Sequence, residues 1–229
     1  MISRAVLFGS ISQSVLRSCQ PRVLARWYSV AQSQLPISVH CEFEPTTNTA
    51  QYILVDKNTN YGAIIDPVLD YEAETGRTKT ASADRLISWV EQNNVKVRWL
   101  LETHIHADHL TASAYLKEKL PTLSSQKSSS VQLAISKHID AVQHTFSPLY
   151  NMNLSKTSFD KLLSDGDNLK FTEESPISIR ALSTPGHTPA CVTYVVEDRG
   201  IPVCVFVGDT IFMVWIQPCL QYRLDPKTH

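Results

Sequence analysis

A short segment near the middle of the chain carries four side chains of the kind that bind metal ions. Three histidines and one aspartate occur within six residues, at His104, His106, Asp108 and His109. In an extended loop, side chains two residues apart point to the same side, so these groups can converge on metal ions. Burying four such groups without a shared partner would be costly. The segment therefore predicts a metal-binding loop, and the alternative is a solvated histidine-rich turn.

Two later residues extend this candidate site, each at the end of an apolar strand. His187 lies in the tight Thr-Pro-Gly-His-Thr loop of residues 184–188, and Asp209 ends the apolar run 205–209. Alone, His187 would more often be a surface residue, and Asp209 a turn residue or a helix cap. Beside the histidine cluster, both become candidate metal ligands. The remaining histidines are predicted to be structural or solvated: His40, His138, His144 and His229.

The alternation of apolar runs with turn residues predicts an α/β layered fold. Three short strands separated by polar turns open it as a β-meander. The predicted strands are 37–44, 51–56, 62–66, 95–101, 131–135, 177–182, 191–197 and 203–207. The predicted helices are 83–93, with Ser82 or Asp84 as a cap, 112–120 and 137–144, whereas 71–80 is predicted as a surface loop and Asp66, Asp165 and Asp167 as turn residues. Strand 95–101 delivers the histidine cluster at its C-terminal end, where open α/β sheets place their ligands.

The composition is that of one ordinary globular domain. Of the 229 residues, 43% are hydrophobic and 19% charged, and no apolar run approaches the roughly 18 residues that a membrane span needs. The five cysteines are odd in number and scattered, which disfavours a disulfide scaffold and fits a reducing compartment. Cys191 and Cys204 fall in apolar strands and are predicted to be buried hydrophobes.

The first 41 residues are rich in serine and contain arginines but no acidic residue. This composition predicts a mitochondrial transit peptide, with a basic disordered N-terminus as the alternative. A matrix-type processing site at residues 26–29 predicts removal of residues 1–28. The remaining chain would hold 17 basic and 22 acidic side chains, a net charge of −5. Nucleic acid is therefore not an expected partner, because phosphate binding needs a basic face.

Four segments together resemble the metallo-β-lactamase superfamily, and within it the persulfide dioxygenase branch, which is close to glyoxalase II. They are residues 66–70 (Asp-Pro-Val-Leu-Asp), 101–110 (with Thr-His-Ile-His-Ala-Asp-His), 184–194 (beginning Thr-Pro-Gly-His-Thr) and 206–213 (with Val-Gly-Asp). The resemblance covers about residues 37–213. It implies the αββα sandwich of that superfamily.

The resemblance also implies a metal set. In the persulfide dioxygenase branch one iron(II) per subunit is held by two histidines and one carboxylate, which fall here on His104, His187 and Asp209. His106 then becomes a further ligand candidate or a group beside the ligands. Asp108 and His109 become the expected catalytic, proton-handling residues.

The dinuclear zinc relatives use the same positions differently. There one zinc would be held by His104, His106 and His187, and the second by Asp108 and His109, with Asp209 bridging. A metal-bound hydroxide would then attack a thioester. Zinc is therefore the alternative metal.

The implied activity is oxidation of glutathione persulfide with O2 to sulfite and glutathione in the mitochondrial matrix. Neither nucleic acid nor membrane is an expected partner, and a homodimer is compatible with the resemblance. The sequence departs from the family after Met213, so the domain at 37–213 is expected to be incomplete and residues 214–229 a divergent tail. The alternatives are a glyoxalase II-like zinc thioester hydrolase and a catalytically inactive truncated isoform.

Overall fold

The computed structural model describes residues 6–8, 35–72, 74–106, 110–123, 130–150 and 159–211. Within them, two β-sheets face each other and helices cover the outer side of the larger sheet. The strands are β1 (Val6–Phe8), β2 (Ile37–Glu44), β3 (Thr49–Asp56), β4 (Tyr61–Ile65), β5 (Asp70–Glu72), β6 (Arg77–Lys79), β7 (Lys96–Leu101), β8 (Gln132–Ser136), β9 (Lys161–Leu163), β10 (Asn168–Lys170), β11 (Ile177–Ser183), β12 (Val192–Asp198) and β13 (Ile201–Phe206). The helices are α1 (Ala81–Gln92), α2 (Ser113–Lys119) and α3 (Ile139–Tyr150). The predicted α/β fold is confirmed.

The larger sheet has the strand order β2-β3-β4-β7-β8-β9. Its first three strands pair antiparallel and form the predicted meander. From β4 to β9 the neighbouring strands run parallel. Because parallel strands end at the same edge of a sheet, the loops after β4 and β7 lie side by side. This edge carries the candidate site.

The smaller sheet has the order β1-β13-β12-β11-β10. Strands β10 to β13 pair antiparallel, and β1 pairs parallel with β13. The core between the sheets includes Leu54, Trp99, Ile179, Tyr194 and Phe206. A second core lies between the other face of the larger sheet and the helices α1 and α2, and includes Ile64, Leu86, Leu100 and Leu116.

Two predicted segments differ from the structure. Residues 71–80 are not a simple loop, because β5 and β6 pair as a small hairpin. Its turn is closed by Gly76, whose backbone N–H donates to the Glu72 carbonyl at 2.8 Å and whose positive φ of 67° suits glycine. Helix α3 continues to Tyr150, beyond the predicted end at residue 144, with Pro148 inside its last turn.

Helix α1 begins after Thr80 and is held at its start by a carboxylate from outside the helix. Asp70 accepts hydrogen bonds from the backbone N–H of Ser82, at 3.0 Å, and from the Ser82 hydroxyl. The predicted cap, Ser82 or Asp84, is therefore wrong, because both residues lie inside the helix. Burial raises the pKa of Asp70, but the Ser82 hydrogen bonds and the charge of Arg85 outweigh it, so the pKa lies below its usual value.

We expect Asp70→Ala to lower the free energy of unfolding by about 0.5–2 kcal/mol, the usual cost of replacing a capping side chain by alanine. This contribution is present above the unfolded carboxyl pKa of about 3.9 and is lost as the pH falls through the lower folded value. Urea denaturation of both proteins at several pH values checks this. A difference between them that stays constant down to about pH 3 would contradict the assignment.

The predicted presequence and tail lie almost entirely outside the described residues. Of residues 1–28, only β1 is described, and none of 214–229 is, so both predictions stay predictions. The free thiols of Cys191 and Cys204 are buried, as predicted. In the described part of the chain, no helix is long and apolar enough to cross a membrane.

Candidate metal centre

Three of the predicted ligands meet at one end of the two facing sheets. His104 follows β7 of the larger sheet, His187 lies between β11 and β12, and Asp209 lies in a short 3-10 turn, Gly208–Thr210, after β13. One ligand atom from each residue lies within 4.8 Å of the other two. We call His104, His187 and Asp209 the metal triad. Each sheet therefore contributes to it.

The distances inside the metal triad fit ligands around a shared ion. Nε2 of His104 lies 3.8 Å from Oδ2 of Asp209, and Nε2 of His187 lies 3.6 Å from the same oxygen. Both separations are too long for hydrogen bonds. Two ligands that are each about 2.1 Å from a tetrahedral ion lie about 3.4 Å apart, close to these values. Two imidazoles and one carboxylate are a suitable donor set for iron(II) or zinc.

The three side chains of the metal triad differ in burial. His104 is only 2% exposed, whereas the His187 side chain is 43% exposed. Burial, and then the charge of neighbouring His106, lower the pKa of His104 to about 4. Its imidazole is therefore neutral at pH 7, which is the form that binds metals. Among the described residues, the His187 side of the triad is therefore the more exposed one.

His106 belongs to a second cluster, although its ring centroid lies only 4.0 Å from that of His104. Its companions are Asp66 and Glu102, and ligand-type atoms of the three residues lie within 4.8 Å of one another. Nε2 of His106 lies 3.8 Å from Oδ1 of Asp66. Burial lowers the pKa of His106, but the adjacent Asp66 carboxylate outweighs it and raises the pKa.

The pKa values of the two carboxyl groups in this second cluster are shifted in opposite directions. Burial raises the pKa of Glu102, as does the charge of Asp66, to about 7. Burial also opposes ionisation of Asp66, but nearby His106 and His104 outweigh it and lower the pKa of Asp66. The pKa values of two adjacent buried carboxyl groups commonly move apart in this way, because it is unfavourable for both groups to be ionised at once.

Sequence reasoning missed the roles of Asp66 and Glu102. Asp66 has the positive φ of a turn residue, 50°, but it is buried and accepts hydrogen bonds from both the N–H and the hydroxyl of Thr103, at 2.7 and 2.8 Å. A signal was available, because Asp66 and Glu102 directly follow two apolar runs. Their strands, β4 and β7, are parallel neighbours, so the two residues come together.

The smaller sheet supports the start of the loop between β7 and α2, which we call the ligand loop. The Tyr194 hydroxyl donates to the Glu102 carbonyl at 2.8 Å, and the Val192 N–H donates to the Thr103 carbonyl at 2.8 Å. Gly208 packs against Thr103 so closely that an added Cβ would lie 2.7 Å from the Thr103 Cβ. Thr103 therefore couples the first ligand of the metal triad to the turn that carries the last.

The structure brings together only some of the expected site residues. The structure brings His104, His187 and Asp209 together and puts His106 beside Asp66 and Glu102. The expected catalytic residues Asp108 and His109 lie outside the described residues. The roles of all six remain predictions.

Comparison with known proteins identifies relatives across most of the chain. The sequence model of the metallo-beta-lactamase superfamily matches residues 46–215. A probable metallo-hydrolase of Burkholderia pseudomallei is 45% identical over 75% of this chain and 57% of its own length. Glyoxylase B2 of Dictyostelium discoideum is 42% identical over 77% of this chain and 56% of its own. The chain thus spans little more than half of these relatives.

More distant similarity extends to persulfide dioxygenases. The human mitochondrial persulfide dioxygenase ETHE1 is 28% identical over 89% of this chain and 62% of its own length. The crystal structure of ETHE1 from Myxococcus xanthus matches with a TM-score of 0.53 and 22% identity, over 76% of this chain and 58% of that one. At this identity the structural match supports the fold alone.

Proposed function

The chain belongs to the metallo-beta-lactamase superfamily, and from this we propose that it is an iron-dependent persulfide dioxygenase. Its substrates would be glutathione persulfide and O2, and its products sulfite and glutathione. The observation that carries the proposal is the metal triad of two imidazoles and one carboxylate, with His106 grouped elsewhere. This donor set with open positions is the pattern of non-haem iron(II) oxygenases.

In this proposal, His104, His187 and Asp209 would hold one iron(II). When bound, iron(II) would supply the redox chemistry by which persulfide sulfur is oxidised with O2. The persulfide, one O2 and one water give glutathione and sulfite, so the substrate gives up four electrons and O2 accepts them. His104 remains a neutral donor because its pKa is low, and Asp209 supplies a negative charge. The exposed edge at His187 admits the substrate.

The test is O2 uptake by the full chain after anaerobic reconstitution with iron(II) and addition of glutathione persulfide. We expect O2 loss and sulfite formation in equal amounts. A zinc-loaded sample is the control and should consume no O2, because zinc has no redox chemistry. Iron-loaded, folded protein that consumes no O2 with this persulfide would overturn the proposal.

A second candidate is a glyoxalase II-like zinc thioester hydrolase. It is favoured by the higher identities to Glyoxylase B2 and the probable metallo-hydrolase, 42% and 45%, than to human ETHE1, 28%. Turnover of a glutathione thioester by protein that holds two zinc ions would support it. If the chain binds neither iron(II) nor zinc tightly, that result would instead support the third alternative, a catalytically inactive isoform.

We also propose the mitochondrial matrix as the location. The support is the acid-free, arginine-containing composition of residues 1–28. N-terminal sequencing of the protein from purified mitochondria tests it. A sequence that still begins at Met1 would overturn the predicted cleavage.

A further inference from the structure

Glu102 is a buried carboxylate that the metal triad does not use. It follows β7, two residues before His104, and is only 3% exposed. Its Oε1 accepts hydrogen bonds from the hydroxyl groups of Thr111 and Ser113. Its Oε2 is buried and has no hydrogen-bond partner among the described residues. Such an oxygen costs about 1–3 kcal/mol or more unless a favourable charge faces it.

The group that can face Glu102 favourably is His106. The second cluster brings ligand-type atoms of Asp66, Glu102 and His106 within 4.8 Å of one another. Both oxygens of Asp66 are already engaged by Thr103. Asp66 is thereby fixed beside His106, and Glu102 is the second carboxyl group next to that imidazole.

This arrangement fixes the imidazole next to the metal triad. Nε2 of His106 lies on the carboxylate side, 3.8 Å from Oδ1 of Asp66. The His106 ring also lies against His104, with 4.0 Å between centroids. A carboxyl group that holds a histidine in this position limits the movement of its ring.

Glu102 also ties the two ends of the ligand loop together. Glu102 itself begins the loop, whereas Thr111 and Ser113 lie just beyond the loop, at the start of α2. Backbone hydrogen bonds reinforce this closure, since Leu69 donates to Leu110 and Ala112 donates to Pro67, both at 2.9 Å. These contacts fix the distance between the two ends of the ligand loop.

We propose that Glu102 is a positioning residue of the metal centre, which orients His106 together with Asp66 and closes the ligand loop through Thr111 and Ser113. This inference rests on the proposed function, because it assumes that the metal triad holds an ion. It adds a residue outside the ligand set to the determinants of metal affinity.

The test compares Glu102→Gln with Glu44→Gln in the full chain, with cobalt(II) as the metal probe. Glutamine can still accept the Thr111 and Ser113 hydroxyl groups, so Glu102→Gln mainly replaces the carboxyl oxygen that faces His106 with an amide group. Glu44 is a matched control, because it is also 3% exposed and accepts the N–H groups of Thr46 and Thr47 in the β2–β3 turn. The readouts are cobalt affinity and the visible absorption spectrum of the bound ion.

We expect Glu102→Gln to weaken cobalt binding about 10-fold and to shift the visible bands, because His106 lies against the ligand His104; this is the lower end of the usual cost of removing an outer-shell partner. Glu44→Gln should leave both unchanged. Equal affinity and spectra of Glu102→Gln and wild type would overturn this inference alone, as would the same loss in Glu44→Gln. Wild-type protein that binds no cobalt would overturn the proposed metal centre as well.

A second variant guards against misfolding of Glu102→Gln. Ser113→Ala removes one hydroxyl that holds Oε1 and keeps the carboxylate. A weaker but measurable loss of cobalt affinity is expected. Unchanged affinity and spectrum in Ser113→Ala, with Glu102→Gln unfolded, would count against the inference.

Discussion

Replacement of His187 by alanine will abolish tight metal binding while leaving the metal-free fold almost unchanged. The His187 side chain is 43% exposed, so its removal creates no cavity. Exposed substitutions of this kind usually change the free energy of unfolding by no more than about 0.5 kcal/mol. A ligand removed from a three-residue set should cost more than the roughly 10- to 100-fold loss that follows from removing an outer-shell partner.

Metal-dependent stabilisation provides the measurement. An ion present at about 100 times its dissociation constant stabilises the wild type by about 2.7 kcal/mol. A 100-fold weaker variant at the same ion concentration would gain only about 0.4 kcal/mol. Urea denaturation with and without cobalt(II) should therefore separate the two proteins clearly. The same variant should lose persulfide-dependent O2 uptake.

His144→Ala is the control for the loss of a histidine, because His144 is an exposed residue of α3 outside both clusters. It should keep the full cobalt-dependent stabilisation. If His187→Ala and His144→Ala gain equal stability from the ion, His187 is not a ligand. That result would remove the main support for an iron centre at the metal triad.

Replacement of Gly208 by alanine will destabilise the fold and weaken metal binding together. The new Cβ would lie 2.7 Å from the Thr103 Cβ. Rotation of the Thr103 side chain would not move this Cβ, and it would break the hydroxyl hydrogen bond to Asp66. Overpacking of this kind costs about 1–3 kcal/mol. The φ of +49° costs an alanine roughly a further 1–2 kcal/mol. Relief of the clash would also displace the neighbouring Asp209.

Gly186→Ala is the matched control for this second substitution. Gly186 precedes His187, as Gly208 precedes Asp209, but no atom lies within 4 Å of its added Cβ. We expect its unfolding free energy and cobalt affinity to remain close to wild type. Similar losses in both variants would show that neither of these two turns tolerates an added methyl group, and the specific contact with Thr103 would then not explain the effect.

The sheets were predictable from sequence because their strands carry strong local signals. Strands β2, β4 and β7 were predicted within about two residues, since polar turns with asparagine or threonine bound their apolar runs. The β5–β6 hairpin was missed because all three residues of β6 are exposed and polar. Exposed short strands have no hydrophobic alternation from which they can be recognised.

The candidate site was predictable only in part. Residue spacing and motif identified all members of the metal triad, but not the support behind it. Asp66 and Thr103 are 37 positions apart, and only the parallel pairing of β4 with β7 brings them together. Alternation on an extended loop also predicted that His104 and His106 share one target. Their rings are adjacent, but residues 103–106 do not continue the strand, so the two rings can face different clusters.

The division of the metal triad between two sheets links the ion to the order of folding events. His104 comes from the larger sheet, and His187 and Asp209 from the smaller one. A complete triad therefore exists only after the sheets have docked. Interactions that form late, after the folding transition state, mainly slow unfolding and have little effect on the folding rate. A bound ion would therefore slow unfolding and prolong the lifetime of the native state, with little effect on how fast the chain folds.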